Sequence, residues 1–251
     1  MRHLAALLAL AALVVAGCGE DEDGPASKPR LVVSAASSMT EAITSCAKDY
    51  PDASVKLSFA GSDELAAQIR QGAPVDVYAA ANTKLPDELE QEGLLDTPEE
   101  FATNTFVLAA PKGSGIDAIE DLTKPGVTIA IGSESVPIGS YTREVLSRLP
   151  AGQEKAILAN VRSNEPDVKG IVGKLSQGAV DAGFLYVTDV NATGDALTAI
   201  QLPDSLQPQV TYAAGVVKKA KQPGPARAFV AGLETGSCAD ALREAGFGPA
   251  P

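Results

Sequence analysis

Histidine is nearly missing from this 251-residue chain: its one copy, His3, stands in a short leader, residues 1–17, that reads as removable. Without it the mature chain cannot build a Ser-His-Asp or Cys-His site, an imidazole-ligated zinc site or a histidine general base. A serine hydrolase would have to use Lys or Asp as its base, and neither Ser38 nor Ser62 stands in Gly-x-Ser-x-Gly. Cysteine is scarce too. Of the three, Cys18 borders the leader, and Cys46 and Cys238 are too few for a disulfide scaffold and wrongly spaced for a metal knuckle. Positive charge is in deficit: 20 Lys and Arg face 32 Asp and Glu, a formal charge of −12 that becomes −13 when Arg2 leaves with the leader. Nucleic acid and acidic membrane surfaces are therefore excluded as partners.

The leader has a recognisable build. Met1-Arg2-His3 is a short basic start, and Leu4 to Val15 is an apolar run too short to span a bilayer but suited to a signal-peptide core. The run ends in Val15-Ala16-Gly17-Cys18, which resembles the site at which bacterial lipoproteins are cut before a cysteine that receives lipid. Cys18 would then be the lipidated mature N-terminus, and the acidic, Gly- and Pro-containing stretch to Arg30 a solvated tether. On this reading the protein is extracytoplasmic and held at the cell membrane by lipid.

From Leu31 onward, strand and helix patterns alternate. Leu31–Val33, Ser54–Phe59 and Val75–Tyr78 read as strands, and Thr40–Lys48 and Glu64–Gln71 as helices, an order that predicts a parallel sheet with crossover helices. Phe106–Ala110 leads into the punctuation Pro111-Lys112-Gly113-Ser114-Gly115. A second series follows, with strands at Val127–Ile131 and Ala182–Tyr186 and helices at Tyr141–Arg148 and Val168–Gln177. Strand Thr211–Val217 and helices Ala226–Leu233 and Ala239–Ala245 close the chain.

In the first series two strands end in small residues and a serine just where a helix opens: Ala35-Ala36-Ser37-Ser38, and Phe59-Ala60-Gly61-Ser62. A serine there reads as an N-cap, adding its hydroxyl to unpaired N–H groups at the positive end of the helix. Two in succession aim both helices at one ligand, and an anion suits the place. The second series offers two more helix starts, with Pro137 where a donor is dispensable and Asp167 as a natural N-cap. In open α/β sheets ligands bind beyond the carboxyl ends of strands, so a cleft between two such units is the expected site.

These segments carry a resemblance. Ala35 to Ala42, Phe59 to Ser62 with Leu65, Gln68 and Ile69, Gln71 to Val77, Ala109 with Pro111-Lys112, Ile131-Gly132 with Val136 to Gly139, and Gly183 to Tyr186 with Asp189 are together similar to the periplasmic molybdate-binding proteins of ABC importers. The resemblance implies an α/β fold of two lobes, the type II periplasmic-binding-protein fold, with the ligand cleft between them. Lobe I would take 31–107 plus 212–251, and lobe II 108–211. It further implies that Ser38 and Ser62 donate from hydroxyl and backbone, Ile138 and Val168 from backbone N–H, and Tyr186 from its phenol. The ligand would be molybdate or tungstate, held through its oxygens with no metal–protein bond and no cofactor. The partner would be the membrane permease of an importer, met by a monomer. Ser37, Ile138, Asp63 and Glu64 depart from the pattern in size or acidity.

The chemistry of the residues agrees. A dianion without a proton is satisfied by a cage of donors alone, so no Arg or Lys is required. Phosphate keeps a proton and would want a carboxylate acceptor, for which Asp63, Asp167 and Asp189 are candidates. Sulfate, phosphate and a ferric ion on the same fold remain alternatives. The last would draw on Tyr78, Tyr141 and Tyr186. Because the closing segment of such a fold returns to the first lobe, Cys46 and Cys238 are either a disulfide or two buried thiols.

Overall fold

The computed structural model describes residues 28–48 and 50–251. The leader, Cys18 and all of the tether before Lys28 lie outside the described residues. Among the described residues, ten strands form two five-stranded sheets. In the first, β1 (Arg30–Ala36), β2 (Ser54–Ala60), β3 (Val77–Ala80), β4 (Glu99–Asn104) and β10 (Val210–Val216) lie in the order β2-β1-β3-β10-β4. In the second, β5 (Phe106–Pro111), β6 (Ile129–Gly132), β7 (Val161–Glu165), β8 (Ala182–Tyr186) and β9 (Leu197–Gln201) lie in the order β7-β6-β8-β5-β9. The chain leaves the first sheet at Thr105 and returns to it at β10.

The expected parallel arrangement with crossover helices holds within each series, and the double crossing adds antiparallel strands to it. β1 runs parallel to β2 and β3, and β6 to β7 and β8, as crossover helices demand. The strands that carry the chain between the sheets run the other way: β10 is antiparallel to β3 and β4, and β5 to β8 and β9.

The helices follow the apolar spacing. α1 (Thr40–Lys48) buries Ala42, Ile43 and Cys46, and α2 (Ser62–Arg70) buries Leu65, Ala66 and Ile69. α4 (Pro137–Ser147) opens on Pro137 at its first position, and α6 (Val168–Ser176) on Asp167, whose carboxylate accepts from Gly170 N at 3.1 Å. α8 (Pro223–Gly232) and α9 (Gly236–Ala245) close the fold. Three helices, α3 (Lys84–Gln91), α5 (Ala151–Ala159) and the one-turn α7 (Val187–Asn191), and the strands β4, β7 and β9 do not stand out in the sequence pattern. α3 carries Pro86 in its first turn, where proline is tolerated, and rests on Leu85 and Leu89. β4 begins on exposed Glu99 and Glu100 because it is a sheet edge, where charge discourages pairing with other chains.

Two contacts tie the first sheet together. The buried Asp76 carboxylate accepts from Val32 N at 2.8 Å through one oxygen and from Lys221 N at 2.7 Å and Gln222 N at 3.1 Å through the other, joining β1 to the start of α8. Cys46 and Cys238 form a disulfide between α1 and α9, with Cα atoms 4.6 Å apart and a sequence separation of 192.

Candidate functional site

The carboxyl ends of β1 and β2 face the amino ends of α4 and α6 across a cleft, and a small cavity of about 20 Å³ lies between them. From the first sheet it is lined by Ala36, Ser37, Ser38, Ala60, Gly61, Ser62 and Ala81; from the second by Val136, Pro137, Ile138, Asp167, Val168 and Tyr186. The structure thus brings Ser38, Ser62, Ile138, Val168 and Tyr186 around one space. None of those five is more than 3% exposed. No arginine or lysine is among the lining residues.

Local folding explains the convergence. After β1 the chain makes a 3-10 turn, Ser37–Met39, and runs straight into α1. α2 begins at Ser62, capped by the backbone of Gly61. Ile138 and Val168 are the second residue of α4 and the first of α6, so their N–H groups belong to first turns that have no intrahelical acceptor. Four helical starts converge on one space, and each directs N–H groups and the positive end of its dipole toward it.

The serines are not the N-caps that the sequence suggests. Neither turn has a side-chain cap bond. Ser62 Oγ instead accepts from Ala81 N at 3.1 Å, while Tyr78 donates its phenol to Ser62 O at 2.7 Å. Ser38 Oγ lies 2.9 Å from Tyr212 Oη. Ser62 Oγ is thus held from behind as an acceptor, which leaves its own proton free to face the cavity, while in the Ser38–Tyr212 pair either oxygen can donate. Asp167, by contrast, caps its helix as expected.

Tyr186, at the end of β8, has a buried hydroxyl with no hydrogen-bond partner among the described residues. A buried hydroxyl in that state is unfavourable by about 1–3 kcal/mol unless something in the cavity accepts from it. Burial, reinforced by Tyr212, Tyr141 and Asp189, pushes its pKa well above the ordinary phenol value, so it keeps the proton it would donate. The tyrosines of the ferric alternative do not gather at this space: Tyr78 is spent on Ser62 O, and Tyr141 packs edge-on against Phe106. Among the described residues no group of three His, Cys, Asp or Glu is placed to hold a metal ion.

Lys169, next to Val168 in the chain, is not among the residues that line the cavity. Lys169 Nζ lies 2.9 Å from both carboxylate oxygens of Glu41, on α1, and 3.2 Å from Asp189 Oδ1, on α7. It clasps the two sheets' layers together. Burial pulls the Lys169 pKa down, but the carboxylates of Asp189 and Glu41 outweigh it and leave the value raised. Asp189, fully buried, is pushed up to about 7 by burial, against the opposing pull of Lys169. Of the candidate acceptors for a protonated anion, only Asp167 lines the cavity, and its Oδ1 is taken by Gly170 N.

Residues that sequence reasoning passed over complete the site. Tyr212 and Asn104 stand behind Ser38. Each reaches the site from an element distant in the chain, and no local motif marks it.

The profile of the bacterial extracellular solute-binding proteins matches residues 31–248. The molybdate-binding protein ModA of Mycobacterium tuberculosis is 35% identical over 256 residues, covering 95% of each chain. That of Haemophilus influenzae is 29% identical over 250 residues, covering 94% of this chain and 95% of its own. Among solved structures, the periplasmic molybdate-binding protein of Azotobacter vinelandii superposes with a TM-score of 0.76 at 21% identity, over 86% of this chain and 98% of that one.

Proposed function

The chain is a ModA-type member of the bacterial extracellular solute-binding protein family, and we propose that it captures molybdate, and tungstate with it, for delivery to the membrane permease of an ABC importer. The observation that carries this reading is a cavity bordered by four helix starts, with no arginine or lysine in its lining and with the Tyr186 phenol buried in it and unpaired among the described residues. In this reading Ser38, Ser62 and Tyr186 donate from side chains, and Ile138 and Val168 from backbone N–H. Hydrogen bonds to a charged group contribute about 1.5–3 kcal/mol each, and helix dipoles add to them in a space shielded from the acidic surface. The role of the cavity is binding, and the metal of the oxyanion is held only through oxygen.

The same reading assigns the two sheets to two lobes that close on the ion as a monomer. It also makes Cys18 the lipidated N-terminus, with the tether leaving the lobes free to meet the permease. Thermal unfolding in the presence of molybdate, tungstate, sulfate, phosphate or ferric citrate tests it. A ligand at 100 times its Kd stabilises the folded state by about 2.7 kcal/mol, which is readily seen. Molybdate and tungstate are expected to raise the melting temperature at micromolar concentration, and sulfate and phosphate only at far higher concentration. A chain indifferent to molybdate would end the proposal.

A further inference from the structure

Ser38 is the last member of a hydrogen-bonded series that runs away from the cavity along the first sheet to α7. Its Oγ lies 2.9 Å from Tyr212 Oη. Asn104 Nδ2, at the end of β4, lies 3.4 Å from the same phenol oxygen and 2.9 Å from Thr188 Oγ1 on α7. The other end of the amide is committed, because Asn104 Oδ1 accepts from Thr105 N at 2.9 Å. An N–H needs an acceptor, so the carbonyl oxygen must face Thr105 and the NH₂ must face Tyr212 and Thr188.

The direction of the remaining bonds follows. The NH₂ can only donate, so the Tyr212 oxygen receives a proton from Asn104. Tyr212 is fully buried, and its hydroxyl has Ser38 Oγ as its acceptor among the described residues. Were Ser38 to donate to Tyr212 instead, the phenol proton would be buried without a partner, at a cost of about 1–3 kcal/mol. The stable arrangement therefore runs Asn104 to Tyr212 to Ser38, and the one proton left at its end, that of Ser38, is directed into the cavity.

We propose that Asn104 and Tyr212 are specificity-determining positioning residues: by filling one lone pair of Ser38 Oγ and leaving its proton no partner but the ligand, they hold Ser38 as a donor toward the cavity and favour tetrahedral dianions that carry no proton. The inference rests on the reading of Ser38 as an oxyanion ligand. Hydrogen phosphate would bring its own O–H against this donor and would have to turn it to Asp167, the one carboxylate in the lining, whereas molybdate and sulfate need only donors. The device needs no charged residue. Tyr212 is suited to it because burial holds its pKa well above the ordinary phenol value, so that its proton stays in place.

The test compares affinities for molybdate, sulfate and hydrogen phosphate, by calorimetry at pH 8, in the wild type, Tyr212→Phe and Asn104→Asp. Tyr212→Phe keeps the ring that packs edge-on against Phe101, Tyr186 and Phe247. It frees the Ser38 hydroxyl to rotate. Molybdate and sulfate affinities should each fall about 10-fold while that for hydrogen phosphate holds or rises. Asn104→Asp replaces a donor by an acceptor, which draws the phenol proton away from Ser38, reverses the series and should shift the molybdate-to-phosphate ratio in the same direction. A uniform loss for all three anions in both variants, or no loss, overturns the proposal, since a role in packing alone would leave the ratios unchanged. A wild-type protein that binds none of the three overturns the oxyanion reading itself, and this inference with it.

Discussion

Gly61→Ala is the sharpest probe of how the two sheets meet. Gly61 has φ −58° and ψ 139°, a conformation open to any residue, so its small size is needed for proximity and not for backbone freedom. A Cβ there would lie 2.5 Å from Pro166 O, 3.3 Å from Val136 Cγ1 and 2.8 Å from Asp63 Oδ1. The Asp63 carboxylate can swing aside. Pro166 O is backbone immediately ahead of α6, and restoring an ordinary contact needs a retreat of about 0.9 Å. That retreat would carry the Val168 N–H away from the ion. Overpacking of this kind destabilises by about 1–3 kcal/mol, here charged only to the closed arrangement, because the clash vanishes when the sheets separate. Affinity for molybdate should fall about 5- to 150-fold. The ligand-free melting temperature should stay close to that of the wild type, since the methyl's reduction of unfolded-chain entropy offsets its weaker capping of α2. Calorimetry gives the affinity, and small-angle scattering with and without molybdate gives the change in shape. Wild-type affinity together with an undiminished contraction on binding would refute the argument that these surfaces touch in the bound state.

Two further predictions concern the scaffold. Asp189, with its pKa raised to about 7 by burial, binds a proton more tightly folded than unfolded, so its contribution to stability is full below about pH 4 and is lost as pH rises toward 7. Asp189→Asn should therefore gain stability relative to wild type progressively between pH 5 and pH 8 in urea unfolding, and a difference that does not change with pH would refute the assignment. The Cys46–Cys238 bridge closes a loop of nearly the whole described chain, and its removal by Cys46→Ala with Cys238→Ala should lower stability by about 2–5 kcal/mol; two alkylatable thiols in the denatured, non-reduced protein would show that the bridge is absent.

What the sequence discloses about this site is what its chemistry needs locally. A strand ending in Ala35-Ala36-Ser37-Ser38 before a helix and one ending in Ala60-Gly61-Ser62 are visible because small residues, a hydroxyl and apolar periodicity sit side by side. Asp167 is legible for the same reason, since a cap and its helix are neighbours. The hydroxyls of Ser38 and Ser62 were not legible: their partners, Tyr212 and Ala81 N, lie 174 and 19 residues away and arrive by sheet pairing. The same distance hid the antiparallel return strands, because nothing local to Phe106–Pro111 or Val210–Val216 says which sheet will receive them.

This division also explains how so acidic a chain can offer a home to an anion. The surface charge is written in side chains and is visible in composition, whereas the cavity is lined by first-turn backbone groups and by the hydroxyls of Ser37, Ser38, Ser62 and Tyr186, with Asp167 the one carboxylate among them. Lys169, the cation next in sequence to Val168, is held away by Glu41 and Asp189 and so contributes no free charge. Attraction is then set by four helix starts and by the direction of a few protons, quantities that a charge count does not record. Selectivity in such a site follows from fixing donors as donors. It is therefore sensitive to residues such as Tyr212, Asn104 and Gly61, which do not touch the surface charge at all.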